Sequence, residues 1–251
     1  MYKEYPPDIR LLHLIETYWV SDGVVSTANT QRILPDGCVD ILFNFSNNDG
    51  TGRLFPYIPH IVGTTTSHLD ITYYSGVIMM LGIRFRPNGI TAFTRMPIFE
   101  LTDKTVEIAL AETLFEKSFY DRLPELPTMR ERLTYLNNYL ISRLPDYFPL
   151  EKRIDFAIDY IRSENGLLSV KQMAEKVCLC ERQFERIFKS AIGVSPKTFS
   201  RIIRFKRTVD FLRTYPKESL YNAAIDCGYF DHSHLIKDFK EFGGTLPGEL
   251  T

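Results

Sequence analysis

The chain has 251 residues, 44% of them hydrophobic and 24% charged, with a formal net charge of −1. That length is enough for about two domains with separate cores, and the composition excludes a disordered or fibrous chain. The near-neutral total hides an asymmetry: residues 1–150 carry a net −4, whereas residues 151–251 hold 17 Lys and Arg against 14 Asp and Glu, a net +3.

The first hundred residues read as β-rich. Apolar runs at Cys38–Phe45 and Val77–Phe85 are bounded by the turn signals Pro35-Asp36-Gly37, Asn47-Asn48-Asp49-Gly50 and Pro87-Asn88-Gly89, which predicts several short strands in a sandwich or barrel. From Thr102 the pattern turns helical, through Val106, Ala109 and Leu110 and then Met129, Leu133, Leu136, Leu140 and Leu144. That leucine stripe has two readings, a dimerising seam or packing against the β-domain. Pro145 and Pro149 mark the domain boundary, placing an N-terminal domain at 1–148, with helices near 105–144, and a second at 149–251.

Beyond Leu150 the pattern predicts helices throughout. Ile154, Ala157, Ile158 and Ile161 form the stripe of one that stops near Asn165-Gly166, and another begins after Ser169. The chain then repeats itself at an interval of about 50 residues. Ala174, Phe184, Phe188-Lys189 and Gly193 are echoed by Ala224, Leu235, Phe239-Lys240 and Gly243. Each copy reads as a short helix, a tight turn and an amphipathic second helix, the ingredients of a helix-turn-helix. In the second copy Gly228 takes the turn, and Asp231 or Ser233 caps the following helix. In the first, Cys178 stands where the turn glycine is expected and Cys180 where a capping serine is expected. Between the copies lies a basic cluster of Lys197, Arg201, Arg204, Lys206, Arg207 and Arg213, broken only by Asp210. Local cation density governs attraction to phosphates, and a solvated helix face is the plain alternative.

The order Ser169-Val170, Met173-Ala174, Phe184, Ile187-Phe188-Lys189, Gly193-Val194-Ser195-Pro196, Ala224, Cys227-Gly228-Tyr229, Ser233-His234-Leu235, Phe239-Lys240, Phe242-Gly243 resembles the AraC/XylS regulators over about 95 residues. The resemblance implies an all-α domain of about seven helices with two helix-turn-helix units joined by a long helix, double-stranded DNA as partner, and RNA polymerase as a second partner. It places base-reading residues at Arg182, Glu185 and Arg186 in the first unit and His232, Ser233, Ile236 and Lys237 in the second. Lys189, Lys197 and Arg201 are the accompanying basic contacts. A spacer helix over 197–213 would be about 25 Å long, which lets two reading helices reach successive turns of a duplex.

The segments Arg32–Asn44 and Gly82–Gly89 are similar to the N-terminal domain of one branch of these regulators, commonly a cupin-like β-domain that senses a small effector or mediates homodimer formation. Arg84 and Arg86 are placed on one face of a strand, with Phe85 on the other. They hold an anionic ligand there, or they pair with Asp36 or Asp40.

Enzymatic readings find little footing. His13, His60 and His68 lack a cupin metal grouping, no GxSxG occurs, and His232-x-His234 points its rings to different sides of a helix. No metal or cofactor is expected. No run of about 18 apolar residues suggests a membrane span, Met1 to Arg10 lacks signal-peptide character, and Cys38, Cys178, Cys180 and Cys227 form no CxxC pair. A cytoplasmic protein with free thiols is the expectation. The whole reads as an α+β chain in which a β-sandwich or cupin-like barrel precedes an all-α domain.

Overall fold

In the computed structural model of the chain, the described residues are 2–46, 58–73, 76–107 and 115–250. They form β1 (Tyr2–Tyr5), β2 (Ile15–Val25), β3 (Asn29–Ile33), β4 (Asp40–Asn44), β5 (His60–Val62), β6 (Leu69–Tyr73), β7 (Gly76–Phe85) and β8 (Thr105–Glu107). Two helices follow, α1 (Lys117–Arg122) and α2 (Met129–Ser142). The rest is helical: α3 (Lys152–Ser163), α4 (Val170–Lys176), α5 (Glu181–Ile192), α6 (Pro196–Thr214), α7 (Leu220–Asp226), α8 (His232–Asp238), a π turn at Phe239–Gly243, and α9 (Pro247–Leu250).

Six strands make one sheet in the order β1-β2-β7-β4-β5-β8, and β3 pairs with β6 as a separate two-stranded ribbon. The period-2 alternation of β7 divides its side chains between two environments. Leu81, Ile83 and Phe85 enter the main core with Leu136 and Leu140. Ile78 and Met80 join a smaller cluster on the opposite face, where Trp19 lies so close over Gly82 that a Cβ there would sit 2.0 Å from its ring.

The α2 helix starts at a capping box in which the Thr128 hydroxyl and the Glu131 carboxylate exchange hydrogen bonds with each other's backbone. Its stripe packs against the core of the N-terminal domain. Leu136 and Leu140 are fully buried, and Met129, Leu133 and Leu144 pack against the same core. Each buried leucine contributes about 1.5–3 kcal/mol, so packing against the β-domain accounts for Leu136 and Leu140. One expectation is corrected here. Val106 belongs to strand β8, paired with Ile61 on β5, because hydrogen bonding to a sheet edge outweighs a helical spacing of three residues. Ala109 and Leu110 lie outside the described residues.

The helical part contains two small cores strung on one helix. Ile154, Ile158, Phe184, Phe188 and Phe199 form the first, and Ile202, Phe205, Val209, Leu235 and Phe239 form the second. The 19-residue α6 supplies Phe199 and Ile203 to one and Ile202, Phe205, Val209 and Leu212 to the other. At 1.5 Å per residue it is about 28 Å long. Ser195 caps it, its Oγ accepting from Thr198 N at 3.1 Å, with Pro196 in the first helical position.

Candidate nucleic-acid interface

The two repeats adopt the same backbone turn. After α4, Leu179 N donates to Ala174 O at 3.0 Å and Cys178 N to Glu175 O at 3.1 Å. After α7, Tyr229 N donates to Ala224 O at 2.8 Å and Gly228 N to Ile225 O at 3.0 Å. Both are Schellman closures, which require a left-handed residue. Gly228 supplies it at φ +76, and Cys178 at φ +54. Cys178 therefore does occupy the glycine position, at a backbone cost of about 1–2 kcal/mol.

The second helix of each unit presents a polar face. On α5, Arg182, Glu185, Arg186 and Lys189 are exposed while Phe184 and Phe188 are buried. Cys180 stands in the capping position without making a side-chain cap hydrogen bond. On α8, Asp231 is the cap, its Oδ1 accepting from His234 N at 2.9 Å, and that bond holds its carboxyl below the usual carboxylate range. His232, Ser233 and Lys237 are exposed, Ile236 is half-buried and Leu235 points inward. Ser233, Ile236 and Lys237 line one open, shallow groove together with Lys240 and Glu241. Lys240 was not singled out by sequence reasoning, although its three-residue spacing from Lys237 places it on the same face. Phe230 was also missed. It is 87% exposed immediately before the cap of α8, with its ring 6.0 Å from that of His234.

The basic cluster on α6 is not one surface. At about 100° per residue, Lys197, Arg201 and Arg204 share a side, while Lys206 and Arg213 lie nearly opposite. Three of the arginines are engaged within the molecule. Arg201 donates from Nη2 to Asp238 Oδ1 and to Glu241 Oε2, both at 2.6 Å. Arg204 lies 4.7 Å over the Tyr229 ring, and Arg213 Nη2 donates to Leu250 O at 3.2 Å. Lys197 and Lys206 are exposed. Arg201, expected as a phosphate contact, has its guanidinium engaged here in tying α6 to the end of α8. That hydrogen bonding raises its pKa and lowers that of Glu241. Lys189 keeps its exposure, and its Nζ lies 5.8 Å over Phe99 of the N-terminal domain.

In the N-terminal domain β7 ends at Phe85, so Arg86 falls beyond the strand and is exposed rather than paired in face with Arg84. The Arg84 Nε approaches Asp40 at 3.4 Å and Asp36 at 3.6 Å. Trp19 Nε1 donates to Asp40 Oδ1 at 2.9 Å. Burial pushes the Asp40 carboxyl up to about 6, against the opposing pull of Arg84.

Fold and surface together define a double helix-turn-helix protein carrying a β-domain. In its C-terminal segment, residues 173–251 match the family described as "Helix-turn-helix domain". Residues 3–107 match "Domain of unknown function (DUF6597)". The chain is 29% identical over 82 residues to the HTH-type transcriptional regulator ArgR of Pseudomonas aeruginosa, which covers 33% of this chain and 25% of that protein. It is 31% identical over 80 residues to the HTH-type transcriptional activator RhaS of Mannheimia succiniciproducens, covering 32% and 30% respectively. The matched region thus spans about a quarter to a third of those relatives. ToxT from Vibrio cholerae shares the two-domain fold at 10% identity and a TM-score of 0.50, with 92% of this chain and 97% of that one covered. No helix among the described residues is long and apolar enough to cross a membrane.

Proposed function

We propose that this chain is a sequence-specific DNA-binding transcription regulator that reads two major-groove segments with α5 and α8. One observation carries the reading: two repeat-related helices, each following the same Schellman turn, expose polar and basic faces while Phe184, Phe188 and Leu235 are buried. Arg182 and Arg186 suit guanine O6 and N7, Glu185 suits the cytosine amino group, and Ser233 and Lys237 offer further donors to base edges. Lys197 supplies phosphate contact from α6. The half-buried Ile236 offers an apolar contact to a thymine methyl. ArgR is named as a transcriptional regulator and RhaS as a transcriptional activator, which supports the same role here; RNA polymerase is the second partner in this proposal.

The working division is an N-terminal domain over 1–148 that modulates a reading domain over 149–251. An anionic small-molecule effector would compete with Asp36 and Asp40 for Arg84, whereas Arg86 is already open to solvent. A gel shift on DNA upstream of the chain's own coding region, repeated across salt concentrations, tests the main reading. The expected result is a linear fall of log affinity with log salt and retention of the target over scrambled DNA. Equal binding to both sequences would overturn it.

A further inference from the structure

The two reading helices are held at their C-terminal ends by the N-terminal domain. The α5 helix stops at Gly193, whose φ is +94, and Gly193 O accepts from Thr102 Oγ1 at 2.8 Å. One residue earlier, Ile192 O accepts from Thr64 Oγ1 at 2.6 Å. The α8 helix continues through its π turn to Gly243, whose carbonyl accepts from Arg32 Nη1 at 3.0 Å. The Arg32 guanidinium is aimed from behind by Asp70, with Nε to Oδ1 and Nη2 to Oδ2 both at 2.7 Å. Both seats are close-fitting. A Cβ on Gly193 would lie 2.9 Å from Thr102 Oγ1, and one on the next left-handed residue, Gly244, 2.0 Å from His68 Cε1.

The terminal carbonyls of a helix lack intrahelical donors and carry the negative end of its dipole. Hydroxyls and a guanidinium are suitable chemistry for them, and here all three donors come from the other domain. The α6 strut connects the two units through two cores that overlap along it, Phe199 and Ile203 packing in the first and Ile202 and Phe205 in the second. Besides α6, the units meet where Leu167, just ahead of α4, packs against Gly228 in the second turn, and the three donors add a hold on the far end of each reading helix.

We propose that Arg32, Thr64 and Thr102 are positioning residues: the N-terminal domain clamps both reading helices at their C-termini and sets the pose in which they meet DNA. The consequence for DNA rests on the function proposed above, while the clamp itself does not. Asp70 acts through Arg32 by fixing its direction. Release of either end frees one reading helix relative to the other without altering the face that either presents.

The test uses the full chain with the exposed Cys178 and Cys180 replaced by Ser and spin labels on new cysteines at positions 181 and 232, the first residues of α5 and α8. Pulsed electron–electron resonance reads the distance between them. The parent gives one narrow distribution, Arg32→Met and Thr102→Val broaden it, and Thr102→Ser retains the parent's. Asp70→Asn broadens it as well, and serves in place of Arg32→Met should that variant unfold on thermal melting. On DNA with one base pair inserted between the two recognised segments, the parent loses about tenfold in affinity, and Arg32→Met loses that spacing preference. Distributions of Thr102→Val and of the folded Arg32 or Asp70 variant that superimpose on the parent's overturn the clamp. A narrow parental distribution that broadens in the variants, without sequence-specific DNA binding, upholds the clamp and overturns the proposed function.

Discussion

Arg201 on α6 reaches Asp238 at the end of α8 through two nitrogens, Nη2 at 2.6 Å and Nε at 3.2 Å from the same oxygen, while Glu241 takes the outer edge of the guanidinium. Asp238 is 4% exposed. A carboxylate so buried depends on its cation, because desolvation disfavours an isolated charge. The pair makes one arginine of the basic cluster a fastener between α6 and α8.

Removal of that cation leaves the buried carboxylate uncompensated. Arg201→Met is expected to destabilise the chain by about 2–3 kcal/mol, lowering the melting temperature by several degrees, and Asp238→Asn in the same chain should recover part of the loss. Thermal melts of the two single variants and the double variant measure the coupling. Additive losses would show that the two residues act independently.

Lys197 and Arg186 separate positioning from reading. Lys197→Ala should weaken target and scrambled DNA alike and reduce the salt slope by about 1. Arg186→Ala should instead lower the preference for target over scrambled DNA by about 1–3 kcal/mol. Titrations of both DNAs at several salt concentrations distinguish the two patterns. A parental preference in Arg186→Ala would remove this residue from the reading face.

The Asp40 carboxyl, pushed up to about 6 by burial, binds its proton more readily in the folded chain than its ordinary value of 3.8 allows in the unfolded one. Its contribution to stability is therefore fully present below about pH 3.8 and is lost as the pH rises through 6. Asp40→Asn mimics the protonated form, so the parent should gain on the variant by on the order of 3 kcal/mol as the pH falls from 7 to 4. Denaturant unfolding of both chains at several pH values measures the difference. A gap between them that does not change with pH would remove Asp40 as the titrating group.

Gly37 combines a φ of +78 with a close approach: a Cβ there would lie 2.4 Å from Phe199 Cε2 on α6. Asp36 Oδ1 holds the turn by accepting from Cys38 N at 2.9 Å. Gly37→Ala should cost about 1–2 kcal/mol from the backbone alone and increase hydrogen exchange in the first turn of α6 as the ring gives way. Parental exchange there would mean that the turn adjusts without disturbing the helix.

The double helix-turn-helix was legible in the chain because its signals are local. Caps at Ser169, Ser195 and Asp231, a turn glycine at 228 and aromatic residues at helical spacing each act within a few residues of themselves. Even the exception at Cys178 could be named, since a turn that repeats must repeat its left-handed residue. The alignment of Gly193 with Gly243 was one residue out at the cap. The π turn inserts a residue, so Gly244 takes the left-handed place at φ +69. A widened helical turn leaves no mark in an apolar spacing.

What only the tertiary structure decided is the use to which charges and stripes are put. An arginine on a helix carries the same sign whether it faces phosphate or a buried aspartate 37 residues away, and only the approach of α8 to α6 turned Arg201 inward. The leucines of α2 could have met another chain, but the sheet was there to cover them. Likewise Arg32 and Thr102 are ordinary polar residues in sequence, and become helix caps only because folding brings residues 211 and 91 positions apart into contact. Local geometry follows from short-range preferences written in the chain, whereas the partner of a charge or of an apolar face depends on which surface arrives opposite it.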